Sequence, residues 1–462
     1  MTEIVESGKA LAERALAAPV GALHGRERWG NGGAVLWAGD NLEGLVRALR
    51  GDLDASVPAI EGKVDLVCTD PPYFRHLQAR QRHGDLVTES VIETRAWHDG
   101  GKGGMEGHLA RLYARLVLCR RLLSPRGTLY LQADRILSPW LRVLLDELFG
   151  AGNFVNEITW KRANAHNDAR RFGSVCDAVL VYGKGPLRLW NPVRRDPSER
   201  ETDPHWSRDA QGRLCRKVPL DAPRRGKAAM RLFAWKGRLP APGRAWAMPL
   251  ERMEELEREG RLVETAGGAP CRLVYSDETE GAALQDLWDD IPALSARSPQ
   301  RQDYPAQKPE ALVERMLLAS SETGSWVLDP YAGSGTLGAV AARHGRNSLL
   351  MDTAPSAHLV MRRRLGESGL LLLQGQPAKA LRPQGGEASD GASALCQGWA
   401  TGRFDGAVFV PRESAWRERR MGRRGNLTDS VISGTCAPWE FLRTWDIEGG
   451  QGDLALGKDG AG

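Results

Sequence analysis

The chain has 462 residues, a formal net charge of +5 and seven scattered cysteines with no C-x-x-C pair. Its length allows two or three domains with hydrophobic cores, and the cysteine spacing argues against a disulfide framework or a zinc site. No apolar run approaches the roughly 18 residues that a membrane span needs, and acids stand where a signal peptide has its apolar core. We therefore expect a soluble, cytoplasmic protein without a bound metal or a membrane contact.

Helices and strands are predicted to alternate over the first part of the chain. After an uninformative segment at 1–33, residues 34–49 predict a strand, a turn and an amphipathic helix. The elements predicted next are strands at 64–68, 128–134, 154–162 and 177–185 and a helix at 109–123. This alternation is typical of an α/β fold with a doubly wound, mostly parallel sheet.

The alternation is lost after residue 186 and returns near residue 285. The intervening stretch is rich in Arg, Pro, Gly and Trp and shows one clear helix, at 249–260. A helix at 308–321 marks the return of the pattern, and a Gly-, Gln- and Ala-rich stretch lies beyond residue 368. The expected divisions are an N-terminal segment (1–33), a first catalytic half (34–185), an irregular insertion (186–284), a second half (285–367) and a C-terminal extension (368–462).

The stretch VDLVCTDPPYFRH, at 64–76, ends a buried strand with a carboxylate, two prolines and an aromatic ring. Proline has no N–H to donate to a sheet ladder, so the chain is expected to leave the sheet at Asp70. A stiff turn then presents Asp70, Pro71, Pro72 and Tyr73 at the carboxyl end of a strand. On this tetrapeptide alone, a plain structural turn is the alternative interpretation.

A second motif, SWVLDPYAGSGTLGAVAARHG at 325–345, predicts a strand, a glycine loop and a helix. Gly333 and Gly335 remove side chains where the backbone approaches a ligand, and Thr336 can start the helix. Seventeen residues after Gly335 the next strand ends in Asp352, a spacing that suits hydrogen bonds to ribose. The loop lacks the length and lysine of a nucleotide triphosphate loop. NAD stays an alternative at this point, because GSGTLG matches G-x-G-x-x-G.

Taken together, DPPY at 70–73 and DPYAGSGT at 329–336 resemble the S-adenosylmethionine-dependent DNA amino-methyltransferases. The motif order is similar to that of the β group, which includes the modification subunits of type III restriction systems. Further similar stretches are GDNLEGL (39–45), FVNEITWKR (154–162), LWDDIP (287–292) and QKPEALVERM (307–316). The resemblance covers roughly residues 34–365. Tyr331 and Leu337 depart mildly from the family pattern, which usually has Phe and Thr there.

This resemblance implies a Rossmann-like methyltransferase fold with permuted motif order and methyl transfer to the 6-amino group of adenine in duplex DNA. Asp70 and the carbonyl of Pro71 are then expected to accept the protons of the amine, with Pro72 stiffening the turn and Tyr73 stacking on the flipped base. The residues expected to bind S-adenosylmethionine are Lys308, Asp329, Pro330, Tyr331, Ala332, Gly333, Ser334, Gly335, Thr336 and Asp352.

Basic side chains are concentrated in the insertion. From 207 to 246 there are eleven Lys or Arg against two Asp, and such side chains can neutralise phosphates. We expect a target-recognition region here; the alternative is a basic, poorly ordered insertion. The side chains expected to contact DNA are Arg224, Arg225, Lys227, Trp235 and Lys236. A second basic run, at 412–426, is interpreted as a solvated helix in preference to a DNA contact.

Three other functions are alternatives to adenine methylation. The nearest is methylation of the cytosine 4-amino group, which Asp70 disfavours because those enzymes more often have Ser there. Ring-carbon methylation needs a nucleophilic Cys after Pro, and Pro270-Cys271 lies far from any strand-end motif. A catalytically silent DNA-binding subunit is disfavoured by the intact Asp70 and Tyr73. Besides double-stranded DNA, the partners considered are a second copy of the chain and a restriction endonuclease subunit.

Overall fold

The computed structural model shows a chain folded into two compact units. The described residues are 1–74, 78–84, 90–98, 103–163, 172–195, 203–225, 230–265, 267–281, 283–295, 297–302, 304–375, 418–421 and 427–430. One unit comprises the described parts of Met1–Asn191 and Asp286–Gly462, and the other comprises those of Pro192–Gln285.

The two units together contain eight described α-helices and twenty described strands. The described helices are α1 (Thr2–Ala17), α2 (Asn41–Arg50), α3 (Gly104–Leu122), α4 (Ser138–Phe149), α5 (Leu250–Arg258), α6 (Glu310–Ser320), α7 (Thr336–Arg343) and α8 (Pro355–Leu365). The described strands are β1 (Gly25–Trp29), β2 (Ala34–Ala38), β3 (Val64–Thr69), β4 (Gln78–Gly84), β5 (Ser90–His98), β6 (Leu123–Ala133), β7 (Phe154–Lys161), β8 (Cys176–Gly183), β9 (Ser207–Arg208), β10 (Leu214–Pro219), β11 (Asp221–Pro223), β12 (Arg244–Trp246), β13 (Leu262–Glu264), β14 (Pro270–Tyr275), β15 (Leu287–Trp288), β16 (Trp326–Asp329), β17 (Asn347–Asp352), β18 (Leu370–Gln374), β19 (Glu418–Met421) and β20 (Leu427–Ser430).

A ten-stranded sheet forms the centre of the first unit, in the order β1-β18-β2-β17-β16-β3-β6-β8-β7-β15. The six strands from β18 to β6 are all parallel to one another. The flanking strands β1 and β8 are antiparallel to their neighbours. The predicted α/β class with a mostly parallel sheet is therefore confirmed. A separate antiparallel sheet has the order β20-β19-β5-β4.

The two sequence motifs lie on adjacent strands. β16, which leads into the glycine loop, pairs in parallel with β3, which leads into DPPY, so that Leu328 lies opposite Val67. On its far side β3 pairs with β6, with Thr69 opposite Leu131. Parallel neighbours end at the same edge, so Asp329 and Asp70 lie at the same edge of the sheet although the chain between them is long. This is the edge at which open α/β sheets bind ligands.

Both faces of the sheet are buried by helices. On β2, Val35 and Trp37 face a core packed by residues of α1 to α4, whereas Leu36 faces a core packed by residues of α6 to α8. Burial on two faces explains why these strands are continuous apolar runs instead of alternating ones. Within the described part of the chain no helix has the length and apolar character needed to cross a bilayer.

The second unit corrects the expectation of an irregular insertion. It contains a sheet in the order β13-β14-β10-β9 and a strand pair, β11 with β12. Six buried side chains form its core: Leu220, Trp235, Trp246, Met248, Met253 and Leu256. The strands are only two to six residues long, and this brevity explains why no strand pattern was evident in the sequence. Most of the basic run at 412–426 lies outside the described residues.

Candidate functional site

A cavity of about 750 Å³ lies at the carboxyl edge of the large sheet, and both motifs line it. The predicted residues that line it are Asp70, Pro71, Pro72, Tyr73, Lys308, Asp329, Pro330, Tyr331, Ala332, Gly333, Ser334, Thr336 and Asp352. The volume suits a small-molecule ligand. Two segments that are distant in the sequence therefore build a single site.

Asp70 lies at the tip of β3 with both carboxylate oxygens engaged. The hydroxyl of Tyr73 donates to one oxygen, and the ammonium group of Lys308 donates to the other. Burial, followed by the negative charge of Asp70, raises the pKa of the Tyr73 phenol well above its ordinary value. The phenol therefore stays protonated and remains a donor at neutral pH.

Lys308 was expected to contact the cofactor, and the structure places it between the two motifs. Its side chain reaches Asp70 and the carbonyl of Ala306, at 3.1 Å. Its own carbonyl accepts a hydrogen bond from Thr336 Oγ1, which follows the glycine loop, at 3.4 Å. Lys308 thus contacts DPPY through its side chain and the second motif through its backbone carbonyl.

The backbone is strained at two positions beside these contacts. Phe74, directly after Tyr73, has φ of 55°, and Ala306, in the cavity wall, has φ of 59°. Side chains other than glycine rarely adopt this region, and such residues cluster at functional sites. The strain is an independent indication that the turn after β3 is more than a connection.

The glycine loop bonds to the acid at the tip of the next strand. The N–H of Gly333 donates to Asp352 Oδ2 at 2.8 Å, and the N–H of Ala354 donates to Asp352 Oδ1 at 2.8 Å. In dinucleotide sites the backbone N–H groups of such a loop bind a pyrophosphate. Here the Gly333 N–H already donates to the Asp352 carboxylate. It is therefore not available to a pyrophosphate, and the arrangement disfavours NAD.

Gly335 corrects one of the predicted ligand contacts. Its φ of 71° is left-handed, and a Cβ there would lie 2.5 Å from Met361 Cγ on α8. Gly333, whose φ is 52°, borders the cavity. The first glycine of the pair is therefore placed to approach a ligand, whereas Gly335 is required by the turn and by packing against α8.

The cavity is rich in carboxyl groups. Burial raises the pKa of Asp329 from its ordinary value of 3.8 to about 7, and the negative charges of Asp70 and Asp352 add to this, while the N–H of Tyr331 opposes it. Burial likewise raises the pKa of Asp352. A positively charged ligand would relieve the repulsion among these three groups.

The sequence analysis missed a polar cluster from α2 and α3 that also lines the cavity. Asn41 Nδ2 donates to the carbonyl of Pro330 at 2.7 Å, and Arg115 donates to Asp40 Oδ1 at 2.8 Å. Arg111 lines the same wall. The stretch GDNLEGL had carried a signal for Asp40 and Asn41, but the two arginines lie within an ordinary amphipathic helix pattern.

A second missed cluster lies on the other side of Asp70. Gln132 Nε2 on β6 donates to Asp177 Oδ2 on β8 at 3.1 Å. Arg162 Nε, just after β7, donates to Asp177 Oδ1 at 2.9 Å. These three side chains line the cavity, and Gln132 and Asp177 are buried. Because they come from three separate strands, no local motif could have grouped them.

The second unit holds the residues expected to contact DNA. Arg224 and Arg225, which follow β11, are exposed, and Lys227 lies outside the described residues. Trp235 is a correction: its ring is 8% exposed and lies in the core of the unit, so it is not a surface for stacking bases. Lys236 forms an ion pair with Glu257 of α5.

Acids from later in the chain neutralise part of the basic stretch. Besides the Lys236 pair, Arg213 contacts Asp277 at 2.9 Å, Arg238 contacts Glu264 at 2.9 Å, and Arg244 contacts Asp221 at 2.8 Å. Counting charges between 207 and 246 therefore overstated the local positive charge, because three of these four acids lie beyond residue 246. Arg224 and Arg225 are exposed and stay predicted phosphate contacts.

Comparisons with known proteins agree with the geometry. A family model described as DNA methylase matches residues 64–362. The type II methyltransferase M.EcaI of Enterobacter cloacae is 29% identical over 282 residues, which are 60% of this chain and 59% of that protein. M.HpaI, a type II methyltransferase of Haemophilus parainfluenzae, is 54% identical over 293 residues, 63% of this chain and 65% of that protein.

A type III relative is also found. The StyLTI Mod subunit of Salmonella typhimurium is 26% identical over 324 residues, which are 64% of this chain and 48% of that protein. The chain thus spans about half to two thirds of the length of these three curated relatives.

The raised pKa of Asp329 predicts a pH-dependent stability. The folded state binds this proton more tightly than the unfolded state, so the group's contribution to stability is full below about pH 4 and is lost as the pH rises through about 7. Asp329→Asn cannot ionise. The unfolding free energy of Asp329→Asn minus that of the native protein should therefore be about 3 kcal/mol larger at pH 8 than at pH 5.

Denaturant unfolding at the two pH values measures this difference, and a gain independent of pH would contradict the prediction. Asp54→Asn is the matched control. Hydrogen bonds from Arg26 lower the pKa of Asp54 well below its ordinary value. Asp54 is thus ionised in both states above pH 5, and the loss of stability on its substitution should be equal at pH 5 and pH 8.

Proposed function

We propose that this chain, which belongs to the DNA methylase family, transfers a methyl group from S-adenosylmethionine to the 6-amino group of adenine in duplex DNA. The observation that carries the proposal is the parallel pairing of β3 with β16, which brings Asp70 and Gly333 into one cavity. Methyl transfer requires the target amine and the methyl donor to meet in one cavity, and this pairing places the residues proposed to bind each of them there.

Asp70 and Pro71 are assigned the activation of the amine. The lone pair of an exocyclic amine is delocalised into the ring, so the nitrogen is a poor nucleophile. When Asp70 and the carbonyl of Pro71 accept hydrogen bonds from its two N–H groups, the nitrogen becomes more tetrahedral and its lone pair can face a methyl donor. Pro71 and Pro72 hold these acceptors in place before the reaction, so little reorganisation is needed.

The carboxylate of Asp70 keeps room for the substrate. Tyr73 and Lys308 each donate to one of its oxygens, and because a carboxylate has about four lone-pair sites, it can also accept a hydrogen bond from the adenine amine. Release of the Tyr73 hydroxyl frees the ring to stack on the flipped base. Stacking contributes roughly 1 to 3 kcal/mol per base, which offsets much of the cost of flipping.

The cavity suits S-adenosylmethionine better than a phosphate-bearing ligand. When bound, this cofactor supplies a methyl group on a positively charged sulfur. Asp329 and Asp352 give the cavity wall negative charge that favours such a cation, whereas the charge of Asp70 is balanced by Lys308. Asp352 accepts two backbone N–H groups, and a carboxylate has about four lone-pair sites. It can therefore still accept ribose hydroxyl groups.

Adenine is preferred over cytosine as the target base because an aspartate, Asp70, begins the DPPY motif. Methylation of the cytosine 4-amino group is the alternative. Sequencing of modified bases in DNA from cells that express the protein separates them: 6-methyladenine at a recurring sequence supports the proposal, and 4-methylcytosine or no modification contradicts it.

The type III Mod relative supports association with a restriction endonuclease subunit as a further proposal; a homodimer is the other arrangement considered. We place the protein in the cytoplasm, where a restriction-modification system meets DNA. The described cysteines, Cys68, Cys119, Cys176, Cys215 and Cys271, are all free thiols, as suits a reducing compartment.

Asp70→Ala should abolish methyl transfer while S-adenosylmethionine binding persists, because the carboxylate acts on the target amine. We expect a loss of at least about a hundredfold in rate, measured with tritiated cofactor, and a cofactor affinity within about threefold by calorimetry. Glu61→Ala, which removes a surface ion pair with Arg121, is the control. Retention of more than a few per cent of the rate would exclude Asp70 as the activating group.

Gly333→Val should weaken S-adenosylmethionine binding by about tenfold or more, because a side chain at this position enters the cavity wall where Tyr304 already lies. Gly62→Val is the matched control: Gly62 also has a left-handed φ, of 68°, but nothing lies within 4 Å of its Cβ position. Equal affinity of the Gly333 variant and the native protein in calorimetry would show that the loop serves only as a turn.

Arg224 and Arg225 are proposed to bind DNA phosphates. Their double substitution by Ala should weaken binding to all sequences alike, and each phosphate no longer neutralised should reduce the log–log slope of affinity against salt by about 0.9. Arg213→Ala is the control, since its guanidinium is committed to Asp277 and Glu278. If fluorescence anisotropy shows a loss of roughly 1 to 3 kcal/mol per residue on the target sequence alone, these arginines read bases instead.

A further inference from the structure

The buried polar chain Gln132–Asp177–Arg162 has a definite position relative to Asp70. β6, which carries Gln132, pairs with β3 on the side opposite to β16. β8, which carries Asp177, follows β6, and β7 follows β8. Along the edge of the sheet the order is therefore glycine loop, Asp70, then the polar chain.

This order leaves one place for the target base. The glycine loop and Asp352 occupy the cofactor side of Asp70, so a base whose amine meets Asp70 must extend towards β6 and β8. Tyr73, whose ring is expected to stack on the base, lines the same cavity as Gln132, Asp177 and Arg162. The cavity continues along this side to Trp160 and Arg162.

On these grounds, and resting on the proposed function, we infer that Gln132 and Arg162 read the ring nitrogens of the flipped adenine and that Asp177 positions both. Asp177 accepts from Gln132 Nε2 at 3.1 Å and from Arg162 Nε at 2.9 Å. A primary amide has a second hydrogen to donate, and a guanidinium has four more. Asp177 is thus a positioning residue, and the two donors are the contacts to the base.

The donors match the chemistry of the purine. Adenine carries hydrogen-bond acceptors, N1 and N7, on both sides of the carbon that bears its amine. Cytosine carries an acceptor, N3, on one side of its amine and a carbon with hydrogen on the other. A site that aims donors at this edge favours adenine, because a buried donor facing C–H is left unpaired.

The test removes acceptors from the base and donors from the protein in combination. The duplex contains the target sequence, identified first by sequencing of modified bases, with 1-deazaadenine or 7-deazaadenine at the target position. Both analogues keep the 6-amino group. We expect at least one analogue to lower kcat/KM of the native protein by about tenfold, the effect of removing one hydrogen bond.

In Gln132→Leu or Arg162→Leu the penalty for that analogue should disappear, although activity on adenine is itself reduced. Any effect of the analogue on amine reactivity cancels, since each analogue is compared with adenine in both proteins. If Arg162→Leu does not fold, Arg162→Lys, which keeps the charge and removes the planar donor pair, replaces it. Arg121→Leu, at the far end of α3 in an ion pair with Glu61, is the control and should keep the full penalty.

Two results would overturn the inference: no penalty for either analogue in the native protein, or an unchanged penalty in the variants, which assigns the polar chain to structure alone. Failure of the proposed function gives a different result, because the native protein would then leave unmodified adenine unmethylated.

Discussion

The parallel pairing of β3 with β16 is the constraint on which the candidate site depends. Each strand is short and mostly apolar; β16 ends at Asp329, and Asp70 directly follows the last residue of β3. Their register sets Leu328 opposite Val67, and the turn of DPPY and the glycine loop open into the same cavity. A shift of register by one residue would move one turn relative to the other by about 3.3 Å, the rise per residue of a strand.

The cost of bringing acids together is visible in the same place. Burial and the charges of Asp70 and Asp352 keep the pKa of Asp329 near neutrality, and Lys308 forms its ion pair with Asp70. Burying Asp329 near two other carboxylates opposes folding, and the packing of the surrounding sheet compensates this cost. Strained or charged sites of this kind are tolerated where a ligand later compensates them.

Local patterns in the sequence predicted what depends on local structure. The strand before DPPY, the loop between Gly333 and Thr336 and the acid at Asp352 each follow from turn chemistry and strand ends, and each is found as expected. What the sequence did not indicate depends on tertiary contacts. Gly335 looks like Gly333 in sequence, and only the position of Met361 distinguishes their roles. Trp235 stands among basic residues and is nevertheless buried by Trp246 and Met253, while Gln132, Arg162 and Asp177 meet only because β6, β8 and β7 are neighbours.

The chain leaves the first unit after Asn191 and returns to it at Asp286. Asn191 donates its backbone N–H to Ala319 and its side-chain amide to Leu318 and Ser321 at the end of α6, and Asp286 accepts the N–H of Thr159 on β7. Both anchors belong to the large sheet and its helices, and the described strands of the inserted segment all pair among themselves. Exchange of this segment between related chains would therefore leave the pairing of β3 with β16 intact, and under the target-recognition role expected for the segment it would change the DNA sequence that is recognised.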